Sequence, residues 1–295
     1  MIYWALIPVV WLAGNLIHRW WIGMRHRRWQ CQIKNKFITE GREPFTVGKG
    51  ATAILMVHGF ADMPSVFSSM ASQLAELGFT CRVMRLPGAG EPLAVAARQG
   101  VETWLAAIQA EMRDLRLRHN EVWVLGHSMG GGLAALLEIT TPGTADGVIM
   151  LAPLIKVSGA RAPVLSPRLW FRIAEVLLPL SGVVESAFTP QVLTKDGHEI
   201  RYLRDRFIPF ATYRGLFALI DRLQRHCGEL RVPVYAALVA DDQIVDTAAT
   251  QRWLEAGELK RHQIDIFEEC GHALPSEERL LPELCNNISN FIVNT

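Results

Sequence analysis

Ser128 stands in Gly126-His127-Ser128-Met129-Gly130, a G-x-S-x-G pentapeptide between an apolar run, "EVWVLG", and the stretch "MGGGLAALLEIT". A serine hydroxyl is a weak nucleophile near neutral pH. One that attacks an acyl carbon needs a base to take its proton, and the base needs a carboxylate to orient it. Glycine disfavours both strand and helix, so two glycines around a serine imply backbone packed too closely for a side chain. A sharp strand-to-helix turn has that requirement. It exposes the serine at the end of a strand and sets a helix N-terminus behind it, where developing negative charge is favoured.

Such a turn carries its partners in the chain order serine, acid, histidine. Downstream of Ser128 lie His198, His226, His262 and His272. His198 and His226 fall in a segment without strand candidates, and His262 opens a strand at the end remote from the turns. His272, in "EECGHALP", follows the last strand and is the expected base. The acid is expected after the preceding strand, "VPVYAALVA", where "DDQIVD" supplies Asp241, Asp242 and Asp246. Asp246 suits the N-cap of the following helix. An oxyanion needs two backbone N–H donors, one after the nucleophile and one from the loop after the first core strand. Met129 and Phe60 of "HGF" fill those places. His58 and His127 lie beside these elements and are expected to orient loops by hydrogen bonds, not to act on substrate.

The elements that must position these residues are legible in outline. "TAILMV" (52–57), "FTCRVMRL", "EVWVLG", "DGVIMLAP", "VPVYAALVA" and "HQIDIFEE" are short apolar runs of strand length. Helical stretches alternate with them, among them "VETWLAAIQAEMRDLRLRH", residues 247–256 and 278–293. That rhythm predicts an α/β fold: a mostly parallel sheet with helices on both faces. The polar stretch "CQIKNKFITEGREPFTVGKG" is expected to add one or two edge strands. Between about 154 and 230 the rhythm stops, and prolines and helical segments predict a helical cap inserted over the sheet. "LWFRIAEVLLPL" is its most apolar segment and the expected lipid-facing one.

On these residues the chain resembles α/β-hydrolases of the monoacylglycerol lipase and carboxylesterase group. The resemblance rests on "ILMVHGFADMP", "LAELGFTCRVMRLPGAG", "VLGHSMGGGLAALL", "GVIMLAP", "DDQIV" and "GHALP", and runs from about residue 50 to 295. It implies that the acid is Asp242, which precedes Ile244 and Val245 at the group's spacing. It also implies a Ser128–Asp242–His272 serine hydrolase acting on carboxylic esters with apolar acyl chains, monoacylglycerol- or lysophospholipid-like. Acyl transfer on the same scaffold and a non-catalytic binding protein of the same fold are the alternatives. The group's "LPGHG" reads "LPGAG" here, so Ala89 removes a polar contact near the substrate.

The 295 residues carry a net charge of +1, which gives no reason to expect a nucleic-acid partner. Cys31, Cys81, Cys227, Cys270 and Cys285 are odd in number and scattered, which predicts neither a disulfide framework nor a zinc site. Neither a metal nor a cofactor is expected. The N-terminus is unlike the rest. "MIYWALIPVVWLAGNLI" is followed by "HRWWIGMRHRRW", with Arg19, Arg25, Arg27 and Arg28 after the apolar stretch. This predicts an anchor over residues 1–30, spanning the membrane or lying in its interface, ahead of a hydrolase domain over 31–295. The basic flank on the anchor's C-terminal side puts that domain on the cytoplasmic side. The pocket is expected to lie wholly downstream of the anchor.

Overall fold

The computed structural model describes residues 2–34, 40–160, 164–186, 192–195, 198–201, 204–257 and 261–295. The chain opens with α1 (Ile2–Lys34), then β1 (Phe45–Val47), β2 (Thr52–Val57), α2 (Ser68–Glu76), β3 (Thr80–Val83), α3 (Leu93–Ala96) and α4 (Val101–Arg116). The nucleophile unit is β4 (Glu121–His127) and α5 (Met129–Thr140), followed by β5 (Val148–Leu151). The inserted cap holds α6 (Pro167–Leu177), β6 (Val183–Glu185), β7 (Val192–Lys195), β8 (His198–Arg201), β9 (Phe207–Pro209) and α7 (Phe210–Arg225). The chain closes with β10 (Val234–Val239), α8 (Thr247–Glu255), β11 (His262–Phe267) and α9 (Leu281–Val293).

The main sheet runs β1-β3-β2-β4-β5-β10-β11. Only β1 is antiparallel to its neighbour; it forms the edge predicted for the polar stretch after α1. From the central β2 the chain builds outward to β3, then crosses to β4 on the other side. A crevice opens at the carboxyl ends of β2 and β4, where strand order reverses, and ligands bind at such points. The loop carrying Phe60 leaves β2 there, and Ser128 leaves β4.

β2, β4, β5 and β10 are buried almost throughout, which is why they read as continuous apolar runs and not as alternating ones. Two sets of helices cover the sheet. α2 packs with α9, and α5 packs with α4 and α7.

The cap differs from the purely helical insertion expected. It holds two small antiparallel pairs, β6 with β9 and β7 with β8. Strands of three or four residues are too short to show alternation, and β6 finds its partner only across the intervening β7–β8 pair. His198 opens β8, but its side chain lies outside the described residues.

α1 is one continuous helix and extends past the predicted boundary at residue 30. Among the described residues no helix is long and apolar enough to cross a membrane, so the expected transmembrane helix is corrected. Asn15, His18 and Arg19 interrupt the apolar run before it reaches the ~20 residues a bilayer core requires. Residues 7–14 are all exposed. Beyond them the helix docks on the cap: the Asn15 side-chain amide donates to Leu177 O (2.9 Å) and accepts from Leu180 N–H (3.4 Å), and His18 Nδ1 lies 2.6 Å from Ser181 Oγ.

Candidate active site

Ser128 is the single residue between β4 and α5, with φ 54° and ψ −116°. For a residue with a Cβ this is strained by roughly 1–3 kcal/mol, and it persists only where neighbours enforce it. Here the Ser128 N–H donates to Leu151 O (2.9 Å), and the Ser128 carbonyl accepts from Gly132 (3.2 Å) and Leu154 (2.9 Å). A Cβ on Gly126 would collide with the Gly130 carbonyl, and one on Gly130 with the Val57 carbonyl. The flanking glycines therefore let β2, β4 and α5 meet at backbone contact.

The structure brings Ser128, His272 and Asp242 together. His272 Nε2 lies 2.9 Å from Ser128 Oγ, and its Nδ1 lies 2.7 Å from Asp242 Oδ2. With a neutral ring, Nδ1–H donates to the carboxylate and Nε2 accepts from the serine hydroxyl. Burial pushes the His272 pKa below its ordinary value, and the hydrogen bond it donates to Asp242 opposes this only in part. For Asp242 burial works upward, but His272 and the backbone N–H groups of Ile244 (2.7 Å) and Val245 (3.1 Å) outweigh it and hold the carboxyl low.

The other candidates stand apart. Asp241 is exposed, and Asp246 caps α8 by accepting from Ala249 N–H (2.9 Å). His226 pairs with Glu229 near the surface (2.9 Å), and His262 begins β11 at the far end of the sheet.

Met129 is the first residue of α5, so its N–H has no partner within that helix. Phe60 sits in the loop after β2, its ring against Tyr213 with centroids 4.9 Å apart. His58 accepts from Leu86 N–H at Nε2 (3.0 Å), so its Nδ1 carries the proton given to Gly59 O (3.0 Å). His127 Nε2 meets the His272 carbonyl at 2.9 Å. Each thus ties one loop to another.

Two residues that the sequence did not single out complete this loop. Asp62 pairs with Arg204 of the cap (2.6 Å) and lies 3.7 Å from His127 Nδ1, while Arg204 also donates to Phe60 O (3.0 Å). Burial works to raise the Asp62 pKa, yet Arg204, His127 and His58 together bring it down to about 2. Asp62 was visible in "HGFADMP", but nothing local showed that its partner lay 142 positions on, at Arg204.

A cavity of about 330 Å³ opens from Phe60 and Met129. Leu86, Pro87, Leu93, Trp104 and Ile208 supply apolar wall, and Arg42 and Asp205 supply polar groups. Burial pushes Asp205 up to about 6, against the Gly90 N–H it accepts (3.0 Å) and nearby Arg42. Ala89 lies on this wall, where Glu91, Gln99 and Thr212 add further polar groups. Two expectations are corrected. The cap contributes residues 205, 207, 208, 209 and 212 to the lining and nothing from "LWFRIAEVLLPL". That segment turns Phe171 inward on Phe210, Tyr213 and Phe217, and leaves Leu169, Trp170, Val176 and Leu177 exposed. Nor is the pocket wholly downstream of the N-terminus, since His26, Trp29 and Gln30 of α1 line it.

The sheet order, the strand-to-helix serine turn and the inserted cap define an α/β-hydrolase fold. The chain belongs to the Hydrolase_4 family, described as serine aminopeptidase, S33, whose profile matches residues 48–279. It is 32% identical over 100 residues to the thermostable monoacylglycerol lipase of Bacillus sp. (strain H-257), which covers 34% of this chain and 40% of that one. It is 27% identical over 179 residues to the human monoglyceride lipase, which covers 58% of this chain and 56% of that one. The match thus spans about half the length of these relatives. The crystal structure of the Paleococcus ferrophilus monoacylglycerol lipase superposes with a TM-score of 0.69 at 18% identity, over 85% of this chain and 98% of that one.

Proposed function

We propose that the protein is a serine hydrolase of carboxylic esters with apolar acyl chains, with Ser128 as nucleophile, His272 as base and Asp242 as its orienting acid. The observation that carries this is the hydrogen-bonded line Ser128–His272–Asp242, whose neighbour in the chain, Met129, lines a largely apolar cavity together with Phe60. Ser128 Oγ attacks the ester carbonyl carbon as its proton passes to His272 Nε2. The Phe60 and Met129 N–H groups hold the oxyanion. Collapse breaks the ester C–O bond, and the alcohol leaves with the proton from His272. Water then attacks the acyl-serine, giving its proton to His272, and the acid departs as Ser128 regains its hydrogen. Arg42 and Asp205 suit an alcohol moiety bearing hydroxyl groups, as in a monoacylglycerol. Likeness to the Bacillus and human lipases supports the same reading.

Ser128→Ala is expected to abolish labelling by a fluorophosphonate probe and to lower p-nitrophenyl butyrate turnover by several powers of ten. Its melting temperature should stay close to wild type, since little buried volume is lost. Turnover near the wild-type rate by purified Ser128→Ala protein would sink this mechanism.

A specific observation also favours a membrane tether. Ile7, Val9, Val10, Trp11 and Leu12 are 42–69% exposed on a helix that projects beyond its docked part, and soluble surfaces rarely leave such a patch uncovered. Arg19, Arg27 and Arg28 follow it. This suits a helix lying in the interface, and the rule that orients spanning helices does not apply to it. Full-length protein should float with vesicles of mixed neutral and anionic phospholipid and remain bound in high salt, because apolar burial is not screened. Val10→Asp with Trp11→Asp should release it. Wild-type protein left behind in the aqueous fraction would end the tether reading.

A further inference from the structure

The family profile begins at residue 48, yet the cavity that starts at Phe60 and Met129 is also lined by His26, Trp29 and Gln30. We infer that the second half of α1 is a wall of the substrate pocket, and that Trp29 on it sets the length of acyl chain the pocket accepts. This rests on the hydrolase reading above and adds to it a specificity-determining element from outside the hydrolase core.

The wall is built, not incidental. Asn15, His18, Ile22, Arg25 and Trp29 recur at i, i+3, i+7, i+10 and i+14, one stripe along a helix. Every member of the stripe has a partner or is buried. Asn15 and His18 hold the 177–181 turn, and Ile22 is 5% exposed. Arg25 reaches Glu185 (2.9 Å), which also takes Arg206 (2.5 Å). That ion pair brackets β9, whose Phe207 is buried and meets two α1 rings edge-on: His26 at 5.3 Å and Trp29 at 5.9 Å. His26 and Trp29 stack on each other at 6.0 Å. β9 in turn packs on α3, which carries Leu93 and Ala96 of the cavity wall. Leu93 and Ala96 of α3, Phe207 and Ile208 of β9 and Trp29 thus line one cavity with Phe60 and Met129, and Trp29 is its stop in the proposed wall. Removing the indole extends the cavity, while a phenyl ring in its place retains the stop.

The test is the acyl-length profile of full-length Trp29→Ala and Trp29→Phe, measured as kcat/KM on p-nitrophenyl esters from acetate to laurate. Pocket discrimination per methylene is about tenfold or more, so Trp29→Ala should shift the long-to-short ratio by roughly that factor. Trp29→Phe should keep the wild-type profile. Gln30→Trp, at an exposed position that tolerates bulk, should move the preference toward shorter acids and provides the answer should Trp29→Ala not fold. Calorimetric binding of straight-chain fatty acids to the same proteins should show the same shift without any turnover. Length profiles within about twofold of wild type in Trp29→Ala and Gln30→Trp, with turnover retained, would overturn the wall. A shift in fatty-acid length preference in protein that hydrolyses no ester would leave the wall standing and overturn the hydrolase reading instead.

Discussion

At the carboxyl edge of the sheet, Ser128, Asp242 and His272 sit on short turns directly after β4, β10 and β11. Across the cavity, Trp29, His26 and Phe207 meet from a long helix and a three-residue strand far apart in the chain. The first arrangement is enforced by backbone: glycines without room for a Cβ, a strained serine, carbonyls and N–H groups locked into the sheet. The second is held by side chains alone, through ring contacts, one shared glutamate and a buried asparagine. Backbone-enforced geometry leaves its mark in local sequence because few residues satisfy it. Side-chain docking can be met by many residue types and leaves almost none. The two regions should also fail differently. A change at the sheet edge lowers the rate on every ester alike, whereas one on α1 alters which ester is preferred.

The largest effect is expected at the acid. Asp242→Asn should cost about 10³ to 10⁴ in kcat, since the wrong imidazole tautomer is then favoured. The exposed neighbour is the control. Asp241→Asn should cost no more than ~10-fold, as for a residue that only shapes the turn. Both losses should be uniform across acyl lengths; a loss that varied with chain length would erase the distinction between edge and wall. If Asp241→Asn were the crippling change, the assignment of the acid to the buried carboxylate would fall.

The smaller effect concerns pH. In the proposed mechanism neutral His272 is the reactive form, and burial lowers its pKa. The rate is therefore retained as pH falls past the ordinary histidine value of ~6.5 and is lost only below it, as the ring protonates. The kcat/KM profile on a slow ester should give an acid-limb midpoint under that value. A midpoint above about 7 would mean that the base is a more exposed group than His272. Trp29→Ala, which leaves His272 and its partners in place, should not move this limb.

Much of the core was open to reading. β2 and α5 have the bounds their apolar runs suggest, and Asp246 caps α8 as the "DDQIVD" tract implied. Fully buried parallel strands and a glycine-framed turn are local facts, written in composition and spacing. The acid was less accessible. Asp241 and Asp242 are chemically alike neighbours, and resemblance to a known group, not the residues themselves, chose between them. Their environments separate them only in the fold, where one is exposed and the other accepts three hydrogen bonds.

What the sequence determined by itself was the order and kind of the core elements and the place of Ser128 on a strand-to-helix turn, because neighbouring residues impose those. Tertiary structure alone decided that Arg204 neutralises Asp62, that the cap contains paired strands, and that α1 reaches the cavity. The stripe from Asn15 to Trp29 was present in the sequence, but it mixes polar and apolar types on a helix whose other positions mix them too. Periodicity therefore could not mark it. Long-range pairing has no local signature: each partner is an ordinary residue until the chain brings the other beside it.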